Sequence, residues 1–503
     1  MKRRTTVPYV NDGRRAAGVL FHPTSLPGRF GIGDFGDELI RFIDWLQSAG
    51  VRLWQVLPLN PPGYGNSPYG CHSSYAGSPL LISPDRLLRD GFLPALGDVP
   101  GFPADETDFD RVREFKNALL RRSWDHFNAH PNDDHHQELR RFEEDNHWLA
   151  DWALYAALKE RHGGKAWSEW PHALAVREPA ATEAAARELD EAIRFHRYVQ
   201  FLFFRQWAAV REVVAARGIH IIGDVPIYVA ADSADVWANR ALFQLDADGV
   251  PRVVAGVPPD YFSTTGQRWG NPLYDWGRLR ETNYRWWVSR FRAGLRFADI
   301  LRIDHFRGFA AYWEIPANEP TAVRGRWVPG PGRALFEAVR QELGSLPLIA
   351  EDLGFITPEV HVLRKAIGVP GMKILQFAFT QLNSPHLPHS YDPMTVVYTG
   401  THDNDTARGW YEQAGADERQ LAQTYLGLTR ATPIEDALIR TAFTSVAQTA
   451  IVPIQDILHL GSEGRMNRPG NEHANWAWRM HADALLPDDA QRLRRLAEVT
   501  GRL

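Results

Sequence analysis

Short apolar runs alternate along the chain with segments whose apolar positions recur at helical spacing. This alternation is typical of a mainly parallel sheet whose strands are joined by helices. Eight runs are predicted as strands, at 17–22, 52–59, 219–225, 299–304, 347–351, 371–378, 395–400 and 450–454. Helices are predicted between strands, for instance at 35–48, 194–216, 280–294, 333–343 and 358–366. Since a (β/α)8 barrel requires eight strands, the predicted fold class is α/β, a TIM barrel.

Two regions interrupt this alternation. Residues 85–190 are charged and helix-like without a clear strand, which predicts a helical insertion packed on the barrel. Residues 230–278 are rich in Gly, Pro and aromatic residues and predict a long structured loop at the substrate cleft. Too few residues follow the run at 450–454 for a separate C-terminal β-domain. Residues 1–503 are therefore expected to form one catalytic barrel that carries these two insertions.

Composition and charge exclude several classes of protein. The net charge is −5 and no segment is dominated by Lys or Arg, so nucleic acid is not an expected partner. Cys71 is the single cysteine and cannot form an intrachain disulfide. No apolar run reaches the roughly 18 residues of a membrane-spanning helix, and the basic N-terminal segment lacks the apolar stretch of a secretory signal. The cytoplasm is the expected compartment and the membrane is not an expected partner, whereas the oligomeric state stays open.

Three acidic residues lie at the predicted C-terminal ends of strands. Asp304 ends the run at 299–304, Glu351 ends the run at 347–351, and Asp403 follows the run at 395–400. In TIM barrels this edge carries the active site. One such acid could equally form a structural ion pair or cap a helix. Three of them, on different strands of one barrel, favour a catalytic site.

Two carboxyl groups are what glycoside chemistry requires. One protonates the departing oxygen while the other attacks the anomeric carbon, and retaining enzymes hold the two groups about 5–5.5 Å apart. Arg302 lies two residues before Asp304 and points the same way, so its charge should favour the ionised form of Asp304. Glu351 follows two apolar residues, and a less polar setting would keep its proton available. His402, next to Asp403, could donate to a sugar hydroxyl, although a lone histidine is more often structural.

Patterns for cofactors and metals are weak. GIGDFG at 31–36 matches G-x-G-x-x-G, but it does not directly follow a strand and lacks the acidic residue expected about 20 positions later. The first predicted strand ends in the single His22 rather than in the paired histidines of barrel metallohydrolases. Neither a cofactor nor a catalytic metal is expected.

The three acids lie in motifs that resemble those of a known family. LRIDHFRG (301–308), IAEDLG (349–354) and YTGTHDNDT (398–406) resemble the catalytic signatures of the amylomaltases, or disproportionating enzymes. These 4-α-glucanotransferases are family 77 of the glycoside hydrolases, within the α-amylase clan. Further similar segments are found at 18–36, 54–69, 223–229, 258–276 and 475–480. The resemblance covers the chain except for the charged stretch 85–190.

The resemblance implies roles for individual residues. It makes Asp304 the nucleophile, Glu351 the acid/base, and Asp403 the acid that holds the donor sugar at the cleavage point. The other residues that it implies as substrate contacts are Tyr64, Asp224, Tyr261, Phe262, Gln267, Trp269, Arg302, His305, His402, Asn475 and Trp476. Among these, Tyr261 and Phe262 match a flexible lid and Trp269 an acceptor-side aromatic. Loop packing is the alternative role for the aromatic residues.

The resemblance also implies a reaction and its substrates. Segments of α-1,4-glucans or maltooligosaccharides would be transferred to the 4-hydroxyl of glucose or of a maltooligosaccharide by a retaining double displacement. Two alternatives stay open, an α-amylase-like hydrolase with the same carboxylates and a non-catalytic glucan-binding barrel. The residues by themselves support a barrel glycosidase, and the preference for transfer comes from the resemblance.

Overall fold

The computed structural model of the chain describes residues 12–130, 133–259, 263–471 and 475–503. Its strands are β1 (Ala16–Leu20), β2 (Leu53–Gln55), β3 (His220–Pro226), β4 (Val253–Val257), β5 (Gln267–Pro272), β6 (Ile300–Asp304), β7 (Ala311–Pro316), β8 (Arg326–Pro329), β9 (Leu348–Ala350), β10 (Gly371–Ile374), β11 (Thr395–Tyr398) and β12 (Thr449–Pro453). Its α-helices are α1 (Asp37–Ser48), α2 (Pro84–Arg89), α3 (Phe109–Ala129), α4 (Asp133–Glu144), α5 (Trp148–Arg161), α6 (His172–Ala175), α7 (Pro179–Glu188), α8 (Asp190–Ala216), α9 (Ala234–Ala238), α10 (Trp276–Glu281), α11 (Arg285–Phe297), α12 (Arg333–Leu343), α13 (Pro358–Ile367), α14 (Ala407–Gln413), α15 (Ala416–Leu426), α16 (Ile434–Thr444), α17 (Ile454–Ile457) and α18 (Pro487–Val499).

Eight strands form a closed parallel barrel, which confirms the predicted fold class. Their order around the barrel is β1-β12-β11-β10-β9-β6-β3-β2. These are the eight predicted strands, and β1, β2, β9, β11 and β12 are buried at every position. Parallel strands are covered on both faces, so their sequences are predominantly apolar runs. After β12, the described residues form helices and loops without a further strand.

The barrel closes where the first strand meets the last. β1 pairs in parallel with β12, from Ala16 opposite Thr449 to Leu20 opposite Pro453. The buried guanidinium of Arg502 lies at this seam, where it donates to the carbonyl oxygen of Ala16 at 3.2 Å. The same group donates to the Gln448 carbonyl oxygen at 2.9 Å, just before β12. One side chain therefore holds the starts of both strands together.

A second, antiparallel sheet of four strands, in the order β5-β4-β7-β8, is absent from the sequence prediction. The prediction of a long loop at 230–278 is wrong about secondary structure, because this segment contains α9, β4, β5 and the start of α10. One glycine of this region, Gly256, serves a contact between strands. A Cβ on Gly256 of β4 would lie 2.1 Å from the carbonyl oxygen of Gln267 on β5, so only glycine permits this approach.

The predicted insertion at 85–190 is helical, with α3 to α7 and most of α2. A buried ion pair attaches α3 to the loop after β1. The ammonium of Lys116 lies 3.0 Å from Asp34 Oδ2 and also donates to the carbonyl oxygens of Leu80 and Ile82. Because both charges are buried, each requires the other. The division of the chain into a barrel and two insertions stays a prediction.

None of the described helices combines the length and the apolar character that crossing a membrane requires.

Candidate active site

Asp304 and Glu351 lie side by side at the C-terminal edge of the barrel. Asp304 ends β6 and Glu351 directly follows β9, which is the neighbour of β6 in the barrel. Ile303 pairs with Ala350, so the next residue along each strand is one of the two acids. The backbone N–H of His305 donates to Glu351 Oε2 at 2.7 Å. Register alone therefore brings the two carboxyl groups to one place.

Glu351 is held so that it keeps a proton near neutral pH. Both of its oxygens accept backbone hydrogen bonds, from His305 at 2.7 Å and from Leu353 at 2.9 Å. These bonds favour the ionised form, but burial opposes it and the negative charge of Asp304 adds to that effect. The result is a pKa of about 8 for Glu351, well above its ordinary value. A carboxyl group in this state can act as an acid at pH 7.

Asp304 shares one arginine with a second buried acid. Arg302 Nη1 lies 3.0 Å from Asp304 Oδ1 and 2.6 Å from Asp224 Oδ2, which confirms the predicted proximity of Arg302 to Asp304. As predicted, the charge of Arg302 favours the ionised form of Asp304, but other effects oppose it. Burial raises the pKa of Asp304 above its usual value, and the negative Asp224 and Asp403 add to it, against the lowering by Arg302. Asp304 still ionises before Glu351, since its negative charge is one cause of the raised pKa of Glu351.

Asp403 is held in the ionised state by its neighbours. His402 Nε2 lies 3.4 Å from Asp403 Oδ2, and Asn467 Nδ2 donates to Asp403 Oδ1 at 2.6 Å. Burial would raise the pKa of Asp403, but His402 and Asn467 together bring it below the usual range. In return, the charge of Asp403 outweighs burial and raises the pKa of His402. The pair thus offers an ionised carboxylate and an imidazole at the same rim.

Tyr69 connects the two acid clusters and is the main residue that sequence reasoning missed. Its hydroxyl donates to Asp224 Oδ2 at 2.9 Å and lies 3.4 Å from His402 Nδ1. Its ring stacks on the His402 ring, with centroids 5.0 Å apart and planes 20° apart. Tyr69 is the last residue of the motif at 54–69. The predicted substrate contact in that motif is Tyr64, whose side chain is 82% exposed. The motif offered both tyrosines, and sequence alone does not show which one faces the acids.

The second sheet supplies an aromatic wall beside the acids. Trp269 on β5 is 38% exposed, and its ring meets the His305 ring edge to face with centroids 4.7 Å apart. Its indole N–H donates to Gln267 Oε1 at 3.0 Å. Gln267 and Trp269 are thus brought next to His305, the residue that follows Asp304 and whose backbone N–H donates to Glu351. Tyr261 and Phe262, the predicted lid residues, lie outside the described residues.

Asn475 and Trp476 have different positions although they are adjacent in sequence. The side-chain amide of Asn475 accepts from the Arg468 N–H at 2.9 Å and donates to the Asn471 carbonyl oxygen at 2.7 Å. Trp476 has a left-handed backbone, with φ of 66°, and is buried. Its ring centroid is 5.9 Å from that of Tyr69 and 6.0 Å from that of His402. Trp476 therefore belongs to the site, whereas Asn475 supports the loop that presents it.

The fold and the site together define a class of protein. A TIM barrel whose rim holds one protonated and one ionised carboxyl group side by side has the groups that enzymes acting on glycosidic bonds require. Within the described residues, no group of three or more His, Cys, Asp or Glu side chains is arranged to hold a metal ion.

Comparisons with known proteins identify the family. A family model described as 4-alpha-glucanotransferase matches residues 21–485. The 4-alpha-glucanotransferases of Synechocystis sp. and Thermus thermophilus are each 49% identical to this chain, over 94% and 97% of it and over 95% and 99% of their own lengths. An amylomaltase from Streptococcus agalactiae, solved in complex with acarbose, is 39% identical with a TM-score of 0.94, over 97% of this chain and 100% of that one. An amylomaltase from Corynebacterium glutamicum, 20% identical with a TM-score of 0.76, shows the fold alone. It covers 98% of this chain and 75% of that one. The chain belongs to the 4-alpha-glucanotransferase family, whose members are glycosyltransferases acting on α-glucans.

Proposed function

We propose that this chain transfers segments of α-1,4-glucans to the 4-hydroxyl of glucose or of a maltooligosaccharide by double displacement at Asp304 and Glu351. The observation that supports this mechanism most directly is the pairing of Ile303 with Ala350, which sets the two acids side by side. Their different protonation supports different roles, since Asp304 ionises first and the pKa of Glu351 is about 8. A nucleophile must be ionised and an acid must carry a proton.

In the first step, an Asp304 oxygen forms a bond to the anomeric carbon while the glycosidic bond to the leaving glucan breaks. Glu351 gives its proton to the departing oxygen, and the product is a β-glucosyl ester on Asp304. In the second step, Glu351 takes the proton of an acceptor 4-hydroxyl as that oxygen attacks the same carbon. The ester bond to Asp304 breaks and an α-1,4 bond is formed again.

The groups around the acids would hold the donor sugar. Asp403 would offer an ionised acceptor, and His402 a hydrogen-bond donor, to sugar hydroxyls at the cleavage point. Arg302, which is paired with Asp224, contacts Asp304 and holds it in position. Tyr69 joins the two clusters, so we assign it a positioning role. The acarbose complex of the Streptococcus agalactiae amylomaltase supports a ligand of this chemical class.

Transfer requires that a sugar acceptor outcompete water at the ester on Asp304. Trp269, beside His305, would provide a flat face for the acceptor ring and exclude water. We propose that Tyr261 and Phe262 close over this space as a lid. Tyr64, Gln267, His305, Asn475 and Trp476 stay proposed contacts or supports of the bound glucan, and the cytoplasm stays the proposed compartment.

Incubation with maltotriose distinguishes transfer from hydrolysis. Transfer gives glucose together with maltooligosaccharides longer than the substrate, whereas maltose and glucose alone would favour the α-amylase-like alternative. Asp304→Asn should abolish turnover, with Asp392→Asn, an exposed acid before β11, as the matched control. Unchanged turnover in Asp304→Asn would reject the proposed nucleophile, whereas absence of turnover in the unaltered protein would favour the non-catalytic glucan-binding alternative.

A further inference from the structure

The loop between β11 and α14 carries His402 and Asp403, and one buried carboxylate holds its two ends. Asp456, just after β12, accepts from the Thr399 hydroxyl at 2.6 Å and from the Ala407 N–H at 2.7 Å. All three of these residues are buried. Since β12 is the neighbour of β11 in the barrel, the base of the loop is tied to an adjacent strand. These bonds fix the ends of the loop but leave its middle to other contacts.

The middle of the loop is held by the segment that follows α17. Arg465 Nη2 donates to the Asp403 carbonyl oxygen at 2.9 Å, and Arg465 Nε donates to the Asn467 carbonyl oxygen at 2.8 Å. The side-chain amide of Asn467 donates in turn to Asp403 Oδ1 at 2.6 Å. One guanidinium therefore binds both the backbone of Asp403 and the backbone of the residue that binds the Asp403 carboxylate.

The shape of the guanidinium group suits this arrangement. Its N–H donors lie in one plane and have fixed directions, so two acceptors on one edge are held at a fixed spacing. The ammonium of a lysine is a point charge on a flexible stem and has no such fork. Arg465 thus keeps the backbones of Asp403 and Asn467 at a constant distance, which sets the position of the Asp403 carboxylate.

Arg465 reaches Asp403 through geometry rather than through charge. Both of its bonds to these two segments go to neutral carbonyl oxygens. Its Nη1 atom lies 3.8 Å from Asp405 Oδ2, so a different carboxylate faces its charge. Burial raises the pKa of Asp403, and the main effects that lower it come from His402 and Asn467. A lysine at position 465 would keep the charge and lose the geometry.

We propose that Arg465 is a positioning residue, which holds the Asp403 carboxylate where the donor sugar at the cleavage point requires it. This inference rests on the proposed function, because it takes Asp403 as a contact of that sugar. Arg465 acts through the backbone of Asp403 and through Asn467, without touching the substrate. Misplacing a group by about 1 Å can lower a rate about a hundredfold, so loss of the fork should be visible in catalysis.

Arg465→Lys tests the proposal, because it removes the fork and keeps the charge. The kcat/KM for maltotriose should fall by about tenfold or more. Arg122→Lys on α3, where the arginine also donates to two backbone carbonyl oxygens, is the matched control and should leave kcat/KM unchanged. Full activity of Arg465→Lys would overturn the proposal, since charge alone would then suffice.

A double-mutant cycle distinguishes positioning from general support of the fold. Asn467→Ala should cost less kcat/KM in Arg465→Lys protein than in the unaltered protein, because both substitutions act on the same carboxylate. Independent losses that simply multiply would overturn the proposal. Unfolding curves of each variant show whether it is folded at the assay temperature.

The titration of His402 reports the position of Asp403 without turnover. His402 Nε2 lies 3.4 Å from Asp403 Oδ2. Burial lowers the pKa of His402, but the nearby Asp403 outweighs it and raises that pKa above its usual value. Arg302 and Asp224, the other charged groups that act on this imidazole, are unaltered in Arg465→Lys. A carboxylate that moves away from His402 should therefore lower its pKa.

The measurement is an NMR titration of protein with isotope-labelled histidine, in which His402→Gln identifies the signal. The pKa of His402 should be lower in folded Arg465→Lys than in the unaltered protein and in Arg122→Lys. An unchanged pKa would overturn the proposal whether or not the chain acts on glucans. A lowered pKa in a chain that proves inactive on maltotriose would reject the proposed function and leave the positioning of Asp403 by Arg465 standing.

Discussion

The raised pKa of Glu351 makes a prediction about folding as well as about catalysis. Glu351 keeps its proton in the folded protein up to a pKa of about 8, whereas its ordinary value is 4.5. Between these values the unfolded chain has already lost the proton that the folded chain retains. Unfolding therefore releases a proton, and the contribution of Glu351 to stability falls as the pH rises from 4.5 toward about 8. Above that range the loss is complete and constant.

Glu351→Gln removes this proton and its pH dependence. For one proton, each pH unit between the two pKa values changes the free energy of unfolding by roughly 1.4 kcal/mol. Over two pH units between 4.5 and about 8, the free energy of unfolding of the variant should therefore rise by at most roughly 3 kcal/mol relative to that of the unaltered protein. The exchange also has a constant cost, because glutamine has one acceptor oxygen for the two N–H groups of His305 and Leu353. That cost does not vary with pH, so the slope rather than the absolute stability isolates the effect of the proton.

Proton release on unfolding is the assay of choice. The protein is unfolded with guanidinium chloride in a pH-stat near pH 6.5, and the released protons are titrated. The unaltered protein should release about one proton more than Glu351→Gln, and the same number as the control Glu183→Gln, an exposed acid on α7. An equal count for all three proteins would refute the reasoning, since Glu351 would then be ionised in the folded state.

Three further predictions address other parts of the structure. Asn467→Ala removes the 2.6 Å hydrogen bond to ionised Asp403, so kcat/KM for maltotriose should fall by tenfold or more; an unchanged kcat/KM would contradict this. Trp269→Ala removes the wall beside the acids and should lower the ratio of transfer to hydrolysis in the maltotriose products, and a constant ratio would reject the acceptor role. Lys116→Met leaves the Asp34 carboxylate buried without its partner and should destabilise the fold by about 3–5 kcal/mol in denaturant titration, with partial recovery on adding Asp34→Asn. Strictly additive effects of these two substitutions would show that the pair is not coupled.

The barrel was predictable because each of its strands has a local signature. The runs that become β6 and β11 are mostly apolar and are buried at every position except Asp304, as is typical of strands covered on both faces. Strand ends were less predictable. The run at 52–59 contains a strand only at Leu53–Gln55, because the ladder stops where the chain leaves the barrel while the residues beyond it stay buried in the packed rim.

The antiparallel sheet was missed because its pairing is not local. β4 pairs with β7, from Val253 opposite Pro316 to Gly256 opposite Trp313, and no short window of sequence contains both partners. The glycines and prolines of residues 230–278 favoured the prediction of a loop, because these residue types are typical of turns.

Tyr69 shows the same limit at the site. Its neighbours Asp224 and His402 lie in β3 and in the loop after β11, and only the folded structure shows that the Tyr69 hydroxyl is placed between them. The acids themselves were predictable from sequence, because a charged residue directly after a buried strand is conspicuous.

The pairing of β1 with β12 has a consequence for folding during translation. A ribosome produces Ala16 long before Thr449, so the nascent chain carries an open flank of β1 during most of its synthesis. Unpaired strand flanks are where partly made chains stick to one another. The barrel can thus close only after β12 has been synthesised, and a premature stop before Thr449 leaves a fragment in which β1 pairs with β2 alone.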